Sequence, residues 1–232
     1  MIFHCYCWAV PSNGKPDLAW CSPPELSVQE IAHGGDLVLI MPPQLMIKDK
    51  LRQSILQRGP LPNKNKLDCI IQKKLIDFIN LNIPNISKAL LYMPYRNEVN
   101  LDLIKQFLKK KDVSIYIPKI INNSKIAFNL MDKHNFVNNK YGIPESTSAD
   151  FLELSSFDIV VIPYVAIDSL GTRLGYGGGY YDRAFAKSGC KKLTPFVCGL
   201  GYDYQQIDGT FGEIHDLKFK HVFTETSYFI YE

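Results

Sequence analysis

Phe157-Asp-Ile-Val-Val-Ile-Pro163 is an apolar, β-branched run closed by a proline, the pattern of a strand buried on both faces in the middle of a parallel sheet. Shortly after it comes Gly171-Thr-Arg173-Leu174-Gly175-Tyr176-Gly177-Gly178-Gly179-Tyr180-Tyr181-Asp182-Arg183, a glycine-rich loop running into a short helix predicted from about Tyr180 to Lys187. Ligands of open α/β sheets bind beyond the carboxyl ends of the strands, so the same stretch that sets the fold also marks a site. Consecutive glycines let the backbone take positive φ and approach an anion, and a helix start presents free N–H groups to it. The stretch therefore reads as a phosphate cradle. A plain flexible turn is the alternative, but it has no need of Arg173, Tyr180, Tyr181, Asp182 and Arg183 gathered around the glycines. The spacing is not that of a P-loop, and Tyr180 stands where a dinucleotide fingerprint needs its third glycine.

Working outward, the pattern is that of alternating helices and strands. Ile47, Leu51 and Ile55 recur at helical spacing, which places Lys48 and Arg52 on a common face. Gly59-Pro60-Leu-Pro62 breaks that helix, and Leu67, Ile70, Ile71, Leu75, Phe78 and Ile79 define a second, with an apolar face suited to covering a sheet. Ala89 to Met93 reads as a buried strand, Asn100 as the N-cap of a helix ending in Lys109-Lys-Lys111, and Val113 to Ile117 as the next strand, a βαβ unit. Strands are also expected at Lys125–Met131, Phe196–Leu200 and near Val222 to Tyr231, with a polar loop through Asn138, Asn139 and Tyr141-Gly-Ile-Pro-Glu145. The predicted fold is a three-layer α/β/α, Rossmann-like domain with a mostly parallel central sheet.

Composition is globular: of 232 residues, 46% are hydrophobic and 21% charged, which excludes collagenous and wholly disordered chains. The net charge of +3 is too weak to imply nucleic acid, although a few cations gathered in one cleft can still hold a small anion. Six cysteines include no C-x-x-C pair, so reduced thiols in a cytoplasmic protein are expected, and no membrane anchor is visible.

Residues 1–45 differ from the rest. Pro11, Pro16, Pro23, Pro24, Pro42 and Pro43 interrupt them, and a short strand at Asp36–Met41 is the one element expected. His4, Cys5, Cys7, Cys21 and His33 lack the short fixed spacing of metal ligands. The segment has no arginine and includes Asp17, Glu25, Glu30 and Asp36, unlike an organelle presequence. It is expected to be an irregular extension, disordered or foreign to the native protein, with Met46 as the native start.

Asp158-Ile-Val-Val-Ile-Pro-Tyr-Val-Ala-Ile-Asp168 together with Arg173 to Arg183 closely resembles the signature of the 5-formyltetrahydrofolate cyclo-ligases, also called methenyltetrahydrofolate synthetases. The resemblance extends to Lys48-x-x-x-Arg52, Met93-Pro-Tyr-Arg-Asn-Glu98-Val, Tyr141 to Glu145, His215-Asp216 and Val222-Phe-Thr-Glu225, covering about Met46 to Glu232 as one catalytic domain.

The resemblance implies ATP-dependent closure of 5-formyltetrahydrofolate to 5,10-methenyltetrahydrofolate by a monomer that binds ATP, reduced folate and Mg²⁺, with no nucleic-acid or membrane partner. It assigns ATP to Lys48, Arg52, Arg173, Leu174, Gly175, Tyr176, Gly177, Gly178, Gly179, Tyr180 and Tyr181. Folate falls to Met93, Glu98 and Tyr176 to Tyr180, catalysis to Arg173 and Tyr180, and Mg²⁺ to Asp182 and Asp216. Without it, Lys48 and Arg52 would read as solvated helix charges, Glu98 as a loop acid, and Asp182 and Asp216 as capping or turn residues. Some family members carry Arg and Lys where this chain has Tyr176 and Gly178, which shifts the positive charge here onto Lys48, Arg52 and Arg173. A sugar-phosphate isomerase-like phosphate binder on a similar scaffold, and a non-catalytic folate-binding module, are the competing readings.

Overall fold

The structure, a computed structural model, describes residues 29–33, 36–40, 43–59, 61–123, 125–132, 136–187 and 195–232, with side chains described from residue 47 onward. The chain divides into two compact units, Met1–Pro42 and Pro43–Glu232. In the first, β1 (Gln29–His33) pairs antiparallel with β2 (Asp36–Ile40), His33 opposite Asp36. The expected strand thus belongs to an antiparallel pair. The cysteines and His4 of the amino terminus lie outside the described residues.

The second unit opens with α1 (Pro43–Leu56) and α2 (Lys64–Asn82). Helix α1 therefore begins ahead of Met46, at a proline whose fixed φ suits the first helical position and whose missing N–H costs nothing there. Strand β3 (Lys88–Leu90), α3 (Asp102–Lys110) and β4 (Ser114–Ile120) form the expected βαβ unit, followed by β5 (Ile126–Leu130). The stretch expected to be a polar loop contains a small hairpin, β6 (Phe136–Asn138) with β7 (Pro144–Ser146). Beyond β8 (Phe151–Leu152) lies the central strand β9 (Ile159–Pro163), buried at every residue. The two-residue strands β10 (Ala166–Ile167) and β11 (Arg173–Leu174) pair before α4 (Tyr180–Lys187). The chain closes with β12 (Phe196–Leu200), β13 (His221–Phe223) and β14 (Tyr228–Ile230). The single last strand expected from Val222 to Tyr231 is two, because Thr224 to Ser227 turn back on themselves through a hydrogen bond from Thr224 N to Ser227 O.

The main sheet runs β14-β13-β12-β9-β3-β4-β5-β8, parallel from β13 to β4 and antiparallel at both edges. Side chains alternate across a strand, and on β9 that separates two cores. Ile159 and Val161 pack with Ile71, Leu75 and Ile79 of α2 and Ile104 and Leu108 of α3, whereas Val160 and Ile162 pack with Tyr181 of α4 and Phe219. Helices on both faces make the three layers. A third cluster, Ile55, Val165, Ala166, Leu174 and Phe211, docks α1 on the β10–β11 pair, and so brings Lys48 and Arg52 to the carboxyl edge of β9.

Asn100 acts one position away from the expected cap: its Oδ1 accepts from Asp102 N at 2.7 Å, while the cap position itself is Leu101. The next amides of α3, Leu103 N and Ile104 N, donate to Gln72 Oε1 on α2 at 2.9 and 3.3 Å. A side chain from another helix thus satisfies orphan donors that no local residue reaches.

Candidate active site

The β10–β11 pair returns the chain beneath the carboxyl end of β9 and carries Arg173 with it. Arg173 is only 7% exposed. Its Nε donates to Pro163 O at 2.9 Å, its Nη1 lies 3.7 Å from Asp182 Oδ2, and its guanidinium stacks 5.2 Å from the Tyr181 ring centroid. Gly175 makes room for it, since a Cβ there would come within 2.6 Å of Nη2. Leu174 and Tyr181, expected to touch nucleotide, are buried in the third and second cores and form the packing under the loop.

Tyr176, Gly177 and Gly178 of the loop are exposed, and Gly179 takes φ 60°, a value L side chains rarely adopt. The two cations that this chain lacks within the loop arrive from helices. Arg52 Nε donates to Gly175 O at 2.8 Å and its Nη1 pairs with Asp49, while Arg183 Nη2 donates to Gly178 O at 2.7 Å. Arg183 also lies over the Tyr180 ring, 5.3 Å from its centroid. Guanidiniums therefore line the loop along its carbonyls, beside the exposed Gly177 and Gly178.

Next to the loop lies a cavity of about 250 Å³ lined by Ile55 and Leu56 of α1, Arg96, Asn97 and Glu98, Tyr164 and Val165, Tyr176, and Tyr204 and Gln205. Three tyrosine rings among polar side chains suit a flat heterocycle that carries hydrogen-bonding groups of its own. Glu98 is its buried acid. Burial pushes the Glu98 carboxyl up to about 8, against the opposing pull of a hydrogen bond from Tyr95 N at 2.8 Å, of Arg173, of the Tyr176 hydroxyl and of Lys64. The same burial, with Glu98 nearby, raises the Tyr176 phenol. Tyr176 thus belongs to the loop and to the cavity at once. Met93 is half-buried in the segment after β3 and is not among the residues that line this cavity.

On the other side of the loop, Lys48 Nζ donates to Asp216 Oδ2 at 2.6 Å and lies 3.4 Å from Glu213 Oε2. Glu213, His215 and Asp216 have potential ligand atoms within 4.8 Å of one another, the one such group among the described residues. Asp182 is outside it: its Oδ1 accepts from Leu217 N at 3.2 Å and its Oδ2 faces Arg173. Sequence reasoning gave His215 no role and passed over Glu213, Tyr204, Gln205 and Lys64, whose spacing along the chain carries no periodic or motif signal.

Fold and site together define a three-layer α/β protein with an arginine-lined glycine loop beside an aromatic pocket at the carboxyl edge of its sheet. The 5-formyltetrahydrofolate cyclo-ligase family model matches residues 46–225. A 5-formyltetrahydrofolate cyclo-ligase of Mycoplasma pneumoniae is 31% identical over 167 residues, 70% of this chain and 90% of that protein; one of Haemophilus influenzae is 30% identical over 51% of this chain and 65% of its own length. Among solved structures, a 5,10-methenyltetrahydrofolate synthetase from Mycoplasma pneumoniae superposes with TM-score 0.61 at 25% identity, covering 79% of this chain and 99% of that one. One from Aquifex aeolicus shares the fold with TM-score 0.65 at 23% identity, covering 80% and 93%. The chain belongs to the 5-formyltetrahydrofolate cyclo-ligase family.

Proposed function

We propose that this enzyme closes 5-formyltetrahydrofolate to 5,10-methenyltetrahydrofolate at the expense of ATP, releasing ADP and phosphate. The observation that carries the reading is the placement of Tyr176, which lies in the glycine loop and lines the same cavity as Glu98. A phosphate held by the loop and a pterin held by the cavity would meet there.

The chemistry accounts for both halves of the site. A formyl oxygen is a poor leaving group. Its attack on the γ-phosphorus breaks the bond to ADP and makes an imidate phosphate. N10 then adds to the formyl carbon and loses its proton, and the C–O bond breaks to release phosphate. Phosphoryl transfer asks for positioning and charge neutralisation. Arg52 and Arg173 supply fixed positive charge, the loop amides supply donors, and Lys48 is held ready on α1. Glu98, its carboxyl held largely protonated at pH 7 by burial, presents a hydrogen-bonding group to the heterocycle without a full negative charge.

Asp216 with Glu213, and Asp182 across Arg173, offer the hard oxygens that Mg²⁺ prefers, with Lys48 balancing their charge. When bound, the ion supplies further neutralisation of the triphosphate. We place the enzyme in the cytoplasm as a monomer; no helix among the described residues is long and apolar enough to cross a membrane.

The test is incubation of the purified chain with 5-formyltetrahydrofolate, ATP and Mg²⁺. Methenyl absorbance is expected to rise with one ADP per product. Its absence with every divalent metal would overturn the reading, and isomerisation of a sugar phosphate without ATP would replace it.

A further inference from the structure

Glu98 sits in a short segment, Tyr95 to Glu98, whose backbone is unusual. Arg96 takes φ 54°, in the left-handed region, where a residue with a Cβ is held only by its surroundings. Side chains of α2 and of the segment after β12 reach this stretch. Lys64, at the start of α2, donates from Nζ to the main-chain Glu98 O at 2.8 Å and to Asp68 Oδ2 at 2.8 Å. Asp68, only 3% exposed, takes a further hydrogen bond at Oδ1 from the hydroxyl of fully buried Tyr202. The Lys64 ammonium also lies 5.8 Å from the Tyr202 ring centroid. Tyr202 N in turn donates to Gln205 Oε1 at 2.8 Å, and Gln205 lines the cavity.

We infer that Lys64 is a positioning residue for folate: clamped by Asp68 and Tyr202, it holds the Glu98 main chain so that the Glu98 carboxyl points into the cavity. The geometry favours this over a surface ion pair. A solvated Lys–Asp pair one helical turn apart contributes little, whereas here one carboxylate oxygen and one carbonyl share a single ammonium, and Asp68 is buried. Lys64, Asp68 and Tyr202 make no hydrogen bond or ion pair with the glycine loop or with Lys48 and reach the site through the Glu98 main chain, so the larger effect is expected on folate. Lys64 also joins the Tyr95 amide, Arg173 and the Tyr176 hydroxyl in drawing the Glu98 carboxyl down against burial.

The inference rests on the cyclo-ligase reading, so its experiment has one arm that does not. In Lys64→Met, the KM for 5-formyltetrahydrofolate is expected to rise about tenfold, the loss of one charged hydrogen bond, with the KM for ATP within about twofold of wild type on the same reasoning. Lys64→Arg, which keeps charge and donors, should recover most of the loss. Independently of turnover, hydrogen–deuterium exchange at the amides of Tyr95 and Glu98 should quicken about tenfold in Lys64→Met. Wild-type folate KM together with wild-type exchange would overturn the proposal, as would a rise in the ATP KM alone. If the wild-type chain closes no folate ring, the functional reading fails while exchange still decides the role of Lys64. Should Lys64→Met not fold, Tyr202→Phe, which deletes only the hydroxyl behind Asp68, takes its place; unchanged exchange at Tyr95 and Glu98 there would overturn the proposal.

Discussion

Lys48 Nζ lies 2.6 Å from Asp216 Oδ2, joining the first helix of the domain to a loop 168 positions further along the chain. The two side chains are 6% and 14% exposed, so the pair is largely shielded from water. Removing one partner of such a pair strands the other charge, at a cost of about 3–5 kcal/mol. Lys48→Met is expected to lower the free energy of unfolding by about that amount in urea titrations. Lys48→Met/Asp216→Asn should recover part of it, and additive losses in that double-mutant cycle would show that the contact couples nothing.

Arg52 Nε donates to Gly175 O at 2.8 Å, which makes it the support of the loop from the side of α1. Arg52→Ala should raise the apparent KM for ATP roughly tenfold, in keeping with a charged hydrogen bond, and leave the folate KM nearly unchanged. Steady-state kinetics with each substrate varied in turn reads the difference. A selective rise in the folate KM would move Arg52 to the other half of the site.

Asp168 is buried and accepts from four main-chain amides: Leu170 and Thr172 at 3.0 and 2.7 Å, and Phe211 and Gly212 at 3.2 Å each. It thereby ties the β10–β11 pair, which carries Arg173, to the loop that leads to Asp216. Asp168→Asn turns one acceptor into a donor facing N–H groups, an expected loss of about 2–4 kcal/mol in stability. Thermal unfolding measures it; a change below about 0.5 kcal/mol, the usual worth of a surface substitution, would contradict the arrangement.

Glu98 binds its proton more tightly in the folded chain, its pKa rising from 4.5 to about 8. The native state then holds a proton that the unfolded chain releases, so stability should fall as pH rises through that window and level off above it. The loss is on the order of a few kcal/mol. Glu98→Gln, neutral throughout, should remove this part of the pH dependence. Comparing the melting temperatures of the two proteins at pH 5 and pH 8.5 tests it, and parallel curves would refute the shift.

Helix α1 starts at Pro43, so a chain beginning at Met46 lacks its first residues but keeps Lys48 and Arg52. Both that chain and one beginning at Pro43 are expected to fold cooperatively and to close the folate ring at the rate of the full chain. If the shorter chains lose either property, residues before α1 belong to the catalytic domain.

The amino-acid sequence by itself determined the layers. Helical spacing of Ile71, Leu75 and Ile79, and the unbroken β-branched run of Ile159 to Ile162, are local patterns, and burial followed them because each pattern presents an apolar face that only a neighbouring layer can cover. The glycine loop was equally legible, since its backbone needs are written in residue type. Tertiary structure alone decided which charges face which. Lys48 meets Asp216, Arg52 meets Gly175, Gln72 caps α3, and Lys64 reaches Glu98 because the sheet order brings distant segments to one edge. Leu174 and Tyr181 turned inward for a related reason: beside a buried Arg173, the loop needs an apolar floor as much as it needs a polar rim. Polar pairing has no period along a chain, and its energy depends on burial that exists only once the chain has folded.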